Sequence, residues 1–375
     1  MGTAAAPLDV STMQARLVKL RVAATKAGMA AVVVTPGSDL RYLIGVGGSS
    51  FERLTALVVP ADSDALPVFV SPALEFAELG DVPLDELGVE VRTWVDGDDP
   101  YPLVLRGLAA GRLAVSDMTP ALHVLRLAVA GEREQVLAGP VLRELRMRKD
   151  AAEIEQLRQV GEAIDRVHER VPHFLQLGRT EAQVGADIAA AIVEEGHAVA
   201  EFVIVGSGPN GASPHHGVSD RVIERGDVVV VDIGGPLPSG YNSDSTRTYA
   251  VGPPRESGVL AAYAALHAAQ QAAVDAVRPG VTCEQVDHAA RSVLEEAGLA
   301  EHFIHRTGHG IGLDVHEEPY IVSGNDLPLE PGMTFSVEPG VYFAGRWGAR
   351  IEDIVLVTAD GVERLNNRPH DLVEL

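Results

Sequence analysis

The sequence predicts an α/β (α+β) protein of two domains. Apolar runs of strand length alternate with helical patterns through roughly the first 130 residues, which is typical of an α/β domain. A chain of 375 residues, of which 46% are hydrophobic, is long enough to build two cores. A basic segment, Leu142–Lys149, precedes a long helical pattern, so we predict domains at 1–140 and 141–375. We interpret the basic segment as the solvated end of a helix.

Apolar periodicity and turn residues predict the elements of the first domain. A helix is predicted over Met13–Lys26, with Ser11 as its N-cap and Gly28 after its end. Short buried runs predict strands at Ala30–Val34, Leu54–Val59, Pro67–Val70, Val89–Trp94 and Arg112–Val115. Helical segments are expected after Pro72 and Pro102.

The second domain carries clearer signals. A capping box at Thr180–Gln183 predicts the start of a helix that runs to Glu195. The run Val228–Ile233 predicts a buried strand, and the alternating Tyr241–Tyr249 predicts its hairpin partner. The remaining helices are expected at Ala151–Leu177, Val259–Val277 and Cys283–Ala297. The remaining strands are expected at Phe202–Val205, Thr334–Val337, Val341–Phe343 and Arg350–Val357.

Composition excludes several classes of function. A formal net charge of -23 argues against binding to nucleic acid or to an anionic membrane surface. No apolar run is long enough to span a bilayer. The chain has one cysteine, Cys283, so no intrachain disulfide can form, and its first residues do not resemble a signal peptide. We therefore expect a cytoplasmic protein.

Carboxylates in apolar surroundings indicate a metal site. Asp232 follows four valines, and a buried, unpaired carboxylate there would carry a large desolvation cost. The alternative for Asp232 is an acid that accepts backbone hydrogen bonds at a strand end. Asp244 can face it across the hairpin, and two facing carboxylates repel unless a proton or a cation lies between them. Glu338 and Glu352 also interrupt apolar strands beside turns.

The stretch from His305 to Glu317, HRTGHGIGLDVHE, adds nitrogen ligands among glycines. We predict that two divalent metals are bound by Asp232, Asp244, His309, Glu338 and Glu352. A histidine ligand favours a transition metal over calcium, which leaves Mn, Co, Zn and Fe open. His215 and His316 are candidates for proton transfer and oxyanion stabilisation. For His215 the alternative is a solvated loop histidine, and His305 suits packing as well as substrate contact.

The motifs resemble those of the Xaa-Pro peptidase branch of the pita-bread metallopeptidases. The match is closest at HRTGHGIGLDVHE and continues at PHH, VVDIG, YNSDSTRT, FSVEPGVY and RIED, between Pro214 and Asp353. The first half resembles the smaller creatinase-type α/β domain more loosely, most clearly at DLRYLIG, Asp39–Gly45. The resemblance implies a C-terminal pita-bread catalytic domain. The connection from Asp232 to Asp244 is one residue longer than is usual in the family.

The resemblance also implies a role for each residue. Asp232 would chelate one metal, Asp244 and Glu352 would bridge both, and His309 with Glu338 would complete the coordination of the second metal. Glu338 would also act as the base. His215 and His316 would flank the substrate, while His305, Arg350 and Tyr342 would form or support the pocket on the proline side. The family pattern favours His215 over the adjacent His216, although either could face the metals.

These roles imply hydrolysis of the bond between an N-terminal residue and proline by two divalent ions, with Mn expected first. An Xaa-Pro dipeptidase (prolidase) is our leading expectation, and an Xaa-Pro aminopeptidase that cleaves longer peptides is the alternative. Methionine aminopeptidase lacks such a preceding domain, and creatinase works without metals. A non-catalytic peptide-binding member is a remote alternative, because such members usually lose ligands. The resemblance also implies a homodimer in which the N-terminal domain reaches toward the partner's active site.

Overall fold

The structure, a computed structural model, describes residues 9–49, 51–80 and 82–375. The described chain forms two compact units, one that ends at Arg146 and one that runs from Met147 to Leu375. Both units combine helices with sheets, which confirms the predicted fold class. Within these described ranges, no helix has both the length and the apolar character needed to cross a bilayer.

The first unit is built on one mixed sheet. Its strands are β1 (Met29–Val34), β2 (Ala56–Pro60), β3 (Val68–Pro72), β4 (Glu90–Trp94), β5 (Arg112–Val115) and β6 (Gln135–Leu137). Its helices are α1 (Val10–Lys26), α2 (Ser38–Ile44), α3 (Ala73–Phe76), α4 (Tyr101–Leu105), α5 (Ala121–Gly131) and α6 (Gly139–Arg146). The strand order is β4-β3-β2-β1-β5-β6. All five strands predicted for this region are found, β5 with the predicted ends and the other four with shifted ends, whereas β6 was not predicted.

Helix α1 begins earlier than the sequence indicated. Its N-cap is Asp9, so the prediction of Ser11 at that position was wrong. The Ser11 hydroxyl instead donates to the Asp9 carboxylate from within the first turn. The inward stripe of the helix includes Leu17 and Leu20, which are both buried.

The second unit contains three sheets and longer helices. Its first strands are β7 (Phe202–Ser207), β8 (Val228–Pro236), β9 (Asn242–Ala250), β10 (Gly308–Gly310) and β11 (Glu317–Ile321). The later strands are β12 (Thr334–Val337), β13 (Gly340–Phe343), β14 (Trp347–Arg350), β15 (Asp353–Val357), β16 (Val362–Arg364) and β17 (Val373–Glu374). Its helices are α7 (Ala151–Phe174), α8 (Glu181–Glu194), α9 (Val259–Ala276) and α10 (Cys283–Glu296). The sheets have the orders β17-β9-β8-β7, β11-β10-β12-β15-β16 and β13-β14.

The β8–β9 hairpin has one face against helices and one face turned away from them. Val229, Val231 and Ile233 belong to the same core cluster as the apolar side chains of α7 and α8. Successive side chains of a strand point to opposite faces, so Asp232 projects from the other face. The helices therefore fix the orientation of the hairpin and leave its polar face free to build a site.

The segment predicted as one strand over Arg350–Val357 is two strands in different sheets, so that prediction was wrong. β14 ends at Arg350 and pairs with β13, whereas β15 starts at Asp353 and pairs with β12. Between them the backbone N–H of Glu352 donates to the Thr246 carbonyl at 3.1 Å. This hydrogen bond to the hairpin draws the chain out of one sheet before it enters the next.

The basic segment before α7 is a solvated helix end only in part, because Arg143 in the last turn of α6 is exposed whereas Lys149 is not. Lys149 is buried, and its Nζ lies 2.5 Å from Glu317 Oε1. Arg148 donates to both carboxylate oxygens of Glu330 at 2.7 Å. The charges of Arg148 and Lys149 are therefore paired within the second unit, which the local sequence could not reveal because their partners lie far along the chain.

Candidate metal centre

The hairpin register brings two carboxylates to one face. Asp232 pairs with Thr246 and Gly234 pairs with Asp244, so the two acids are offset by two residues across neighbouring strands. An even offset places both side chains on the same side of the sheet, as the sequence predicted. Both residues are buried, at 8% and 4% exposure respectively.

Glu352 reaches the same face through Thr246. The Thr246 hydroxyl donates to Glu352 Oε2 at 2.8 Å, and the two residues also form an isolated backbone bridge. Glu352 as a whole residue is 1% exposed. The break between β14 and β15 is therefore the local structure that delivers this side chain.

His309 and Glu338 approach from the sheet that holds β10 and β12. His309 Nδ1 contacts its neighbour's carbonyl, Gly310 O, at 3.1 Å. That contact leaves Nε2 free to point at the acids, 3.2 Å from Glu338 Oε1 and 3.6 Å from Asp244 Oδ2. Glu338 follows β12 directly, and its Oε1 accepts from the Ser336 hydroxyl at 3.1 Å.

Potential ligand atoms form overlapping groups within 4.8 Å of one another. One group contains Asp232, Asp244 and Glu352, and another contains His309, Glu338 and Glu352. Asp244 also groups with His309 and with His316, which makes His316 a candidate ligand as well. The two groups share Glu352, which is the arrangement that two neighbouring cations with a bridging carboxylate require.

The ligand atoms of this cluster fit divalent metals because two of its carboxylate oxygens have no hydrogen-bond partner in the described part of the protein. Asp232 Oδ1 and Glu352 Oε1 are buried and have no hydrogen-bond partner. Buried polar atoms in proteins are almost always paired, so two such oxygens facing one cluster indicate a missing cationic partner. Four carboxylates with one imidazole nitrogen suit a hard to borderline transition metal.

The pKa shifts of the clustered side chains also indicate a site for cations. Burial, with repulsion from Glu352, raises the pKa of Asp244 well above its ordinary value, and burial with repulsion from Glu338 does the same for Glu352. Burial raises the pKa of Glu338 to about 7, with Asp232 adding to the effect. Burial and the nearby His316 lower the pKa of His309 to about 3, which keeps its imidazole neutral. The cluster therefore needs positive charge to hold its carboxylates ionised together.

Arg350 supports the cluster from one side. Its guanidinium pairs with the Asp232 carboxylate and donates to the Tyr342 hydroxyl at 2.6 Å. That hydroxyl also lies 2.9 Å from His305 Nε2. Burial raises the pKa of Tyr342 to about 12, so the phenol stays protonated between its two neighbours. His305, Tyr342 and Arg350 therefore form one hydrogen-bonded chain that leads to a predicted metal ligand.

The two adjacent histidines of the Gly/Pro-rich loop differ in their contacts. His216 Nε2 lies 2.8 Å from the buried Glu181 carboxylate. His215 is exposed on the cleft, close enough for its charge to influence the pKa values of His305 and His316. His316 packs edge-on against His309, with 4.1 Å between the ring centroids. Both histidines line the cleft, but His215 is the more exposed of the pair and its ring is not held by Glu181.

Every predicted site residue except Tyr342 lines one cleft of about 980 Å³. Tyr342 lies behind His305 and Arg350 and acts on the cleft through them. Arg306 was not among the predicted site residues, but it lines the same cleft with its guanidinium 4.5 Å from the centre of the Tyr320 ring. In the part of the chain that the structure describes, Arg306 forms no ion pair. Its place inside HRTGHG was the signal that could have found it.

Comparisons with known proteins agree with this geometry. Residues 155–359 match the model described as metallopeptidase family M24, and residues 16–148 match the creatinase/prolidase N-terminal domain. The chain is 60% identical over 367 residues to the probable dipeptidase PepE of Mycobacterium tuberculosis, covering 97% of each chain. It is 36% identical to the Xaa-Pro dipeptidase of Lactobacillus helveticus, covering 89% of this chain and 91% of that one. The solved dipeptidase PepE from Mycobacterium ulcerans superposes with a TM-score of 0.94 at 61% identity, covering 98% and 99% of the two chains.

Proposed function

The chain belongs to metallopeptidase family M24, and from that premise we propose that it is a dinuclear Xaa-Pro dipeptidase. It is a metal-dependent peptidase whose pita-bread catalytic domain follows a creatinase-type domain in the sequence. The observation that supports two metals is the shared ligand cluster with its unpaired buried oxygens. The substrate class that we propose is a dipeptide with proline in the second position.

We assign the ligands as the carboxylate and imidazole positions suggest. Asp232 would hold one ion, Asp244 and Glu352 both ions, and His309 with Glu338 the other ion. Mn is the ion that we propose first, with Co, Zn or Fe as alternatives that the same donors accept. When bound, such ions polarise a carbonyl and lower the pKa of water.

The remaining chemistry falls to side chains of the cleft. Glu338, which lines the cleft beside His309 with its Oε1 3.2 Å from that ring, is placed to accept a proton from the attacking water. Burial and the positive charge of Arg306 lower the pKa of His316, so its neutral imidazole can take that proton on and deliver it to the leaving nitrogen. His215 faces the same space and would stabilise the oxyanion of the tetrahedral intermediate.

Arg306 supports a dipeptide over a longer peptide. In an Xaa-Pro dipeptide the free carboxylate lies one residue beyond the scissile bond, so it must enter the cleft with the proline ring. Arg306 and Arg350 both line that cleft, but Arg350 is already paired with Asp232. We propose that Arg306, held over Tyr320, binds the carboxylate of the dipeptide.

Replacing Arg306 by methionine is expected to remove the preference for a free carboxylate. The wild type should favour Ala-Pro over Ala-Pro-amide by about 10- to 100-fold in kcat/KM, as a buried charged hydrogen bond predicts. In Arg306→Met the ratio of kcat/KM for Ala-Pro to that for Ala-Pro-amide should approach one, mainly because KM for Ala-Pro rises. Arg346→Met, which removes an exposed arginine paired with Glu256, is the matched control. An unchanged ratio in Arg306→Met would assign the carboxylate to another group.

Replacing His316 by alanine is expected to lower kcat by about 10²- to 10³-fold, in the range of general acid–base catalysis. Metal content, measured by elemental analysis after desalting, should stay at the wild-type level. The proximity of His316 to Asp244 and His309 makes this measurement decisive. If the variant loses metal, His316 is a ligand rather than a proton carrier.

The test of the proposed activity is a product assay on Mn-loaded protein with Ala-Pro and Ala-Pro-Ala side by side. Cleavage of Ala-Pro alone is the expected result. Release of alanine from the tripeptide would identify an Xaa-Pro aminopeptidase with an open cleft. Cleavage of neither, with metal bound, would favour a different peptide bond or a peptide-binding role.

We also propose a cytoplasmic homodimer. The single cysteine, Cys283, is buried, as expected of a protein that does not depend on disulfides. The first unit exposes Leu122, Leu125 and Val129 along α5 and Met118 in the turn before it. Such exposed apolar side chains suit burial against a second copy. Light scattering coupled to size exclusion should give twice the chain mass of 39.6 kDa.

A further inference from the structure

Glu181 is a fully buried carboxylate that the proposed mechanism does not use. It is the first residue of α8 and has 0% exposure. Its Oε1 accepts from the backbone N–H and the hydroxyl of Ser207, at 2.7 and 2.6 Å. Its Oε2 accepts from the Ser219 hydroxyl at 2.6 Å and lies 2.8 Å from His216 Nε2. The Asn210 amide donates to both oxygens, at 3.1 and 3.0 Å.

These partners come from the start, the middle and the end of one segment, residues 207–219, which we call the His215 segment. Ser207 ends β7, Asn210 lies in a 3-10 helix, and Ser219 follows the histidine pair. The segment has little regular structure apart from that short helix, so its shape depends on such anchors. One carboxylate therefore ties together four residues of a segment that has little regular structure of its own.

The donors also keep Glu181 ionised. Burial alone would raise the pKa of Glu181, but hydrogen bonds from Ser207 and Ser219 outweigh it and lower the pKa. An ionised carboxylate accepts at both oxygens, which a neutral amide in its place cannot do. The network thus depends on the charge at this position as well as on its shape.

The His215 segment faces the cleft opposite its Glu181 anchor. Its Pro214 carbonyl accepts from Arg350 Nη2 at 3.3 Å, and His215 lines the cleft beside it. The adjacent His216 turns back to the carboxylate. The two histidines therefore have different roles, because the His216 ring anchors the backbone that presents the His215 ring to the cleft.

We infer that Glu181 is a positioning residue for His215, which holds the His215 segment in the shape that presents this histidine to the substrate. The inference rests on the proposed function for its kinetic consequence but not for its structural one. A neutral Glu181→Gln side chain keeps the volume, yet its amide hydrogens would face the serine, asparagine and histidine donors. The segment should then move and carry His215 away from its place.

A double-mutant cycle on the Mn-loaded full chain tests this inference. We expect Glu181→Gln to lower kcat for Ala-Pro about 10- to 100-fold, within the range of acid–base and oxyanion contributions, with KM changed less than about threefold. If Glu181 acts through His215, adding Glu181→Gln to His215→Ala should lower kcat no further. If Glu181→Gln lowered kcat as much in the His215→Ala background as it does in the wild type, the inference would be overturned.

Hydrogen exchange supplies a readout that does not need activity. Glu181→Gln should speed exchange in peptides from residues 208–219 and leave the β8–β9 hairpin unchanged. Gln183→Ala is the control, because it removes the capping partner of Thr180 on the same helix without touching the segment. Unchanged exchange in the segment would overturn the inference even if the wild type proved inactive on Xaa-Pro peptides.

A milder variant covers the case in which Glu181→Gln does not fold. Ser219→Ala removes one half-buried donor at the far end of the segment and keeps the carboxylate. Alone, Ser219→Ala should lower kcat about 3- to 10-fold, as expected for one lost hydrogen bond. Added to His215→Ala, it should lower kcat no further. Full additivity in this cycle would also contradict the inference.

Discussion

Replacing Glu338 by alanine should reduce kcat for Ala-Pro by at least about 10³-fold while the fold remains intact. The substitution deletes a proposed ligand and the proposed base in one step. Metal content should fall from two ions per chain toward one, because His309 loses the carboxylate whose oxygen lies 3.2 Å from its Nε2. Elemental analysis and steady-state kinetics on the same sample measure both effects.

Stability separates this effect from misfolding. In the metal-free protein, Glu338 is a half-buried carboxylate beside other acids, so its removal should leave the Tm at pH 8 unchanged or higher. Glu330→Ala is the control, since it removes a partly exposed glutamate that pairs with Arg148. A Glu338→Ala variant with near-normal turnover would show that the site assignment is wrong.

Removal of the metals should abolish turnover and make the stability of the protein fall as the pH rises. Glu338 has an ordinary pKa of 4.5 and a folded-state pKa of about 7, while Asp244 and Glu352 are shifted in the same direction. A raised folded-state pKa means that the folded protein binds the proton more tightly than the unfolded chain does. The resulting stability is fully present below pH 4.5 and is lost as the pH rises through about 7.

Bound metals should cancel this loss, because they hold the carboxylates ionised. The difference in Tm between loaded and metal-free protein should therefore grow between pH 5 and 8, by on the order of 5 °C. Scanning calorimetry with and without a chelator measures it. Parallel curves for the two forms across this range would mean that the acids do not share a cation.

The sequence predicted those parts of the structure that depend on local pattern. The α/β class and the β8–β9 hairpin are confirmed, because buried runs, turn residues and capping boxes act over short distances. Asp232 and Asp244 face one side as expected, since strand parity alone decides it. The ligand assignment itself stays a prediction that metal analysis must test.

Features that depend on distant contacts could not be predicted in this way. Glu352 leaves the predicted strand because Thr246, 106 residues earlier, binds its carboxylate. His216 differs from His215 only because Glu181, 35 residues before it, lies behind it. No periodicity in the sequence encodes such pairs, so the interruption of one strand and the division of work between two histidines became visible only in three dimensions.

The hairpin register also bears on how sequences of this kind can diverge. Strand pairing extends from Val228 opposite Ala250 to Pro236 opposite Asn242, so the ladder alone fixes the spacing of Asp232 and Asp244. Residues 237–241 lie outside the ladder, and Pro238, the second of them, is exposed. An insertion at Pro238 would lengthen the turn without changing the parity of either strand, whereas an insertion within a strand would turn one carboxylate to the helical face. The turn can therefore accommodate an extra residue between the two acids while both carboxylates stay on the same face of the hairpin.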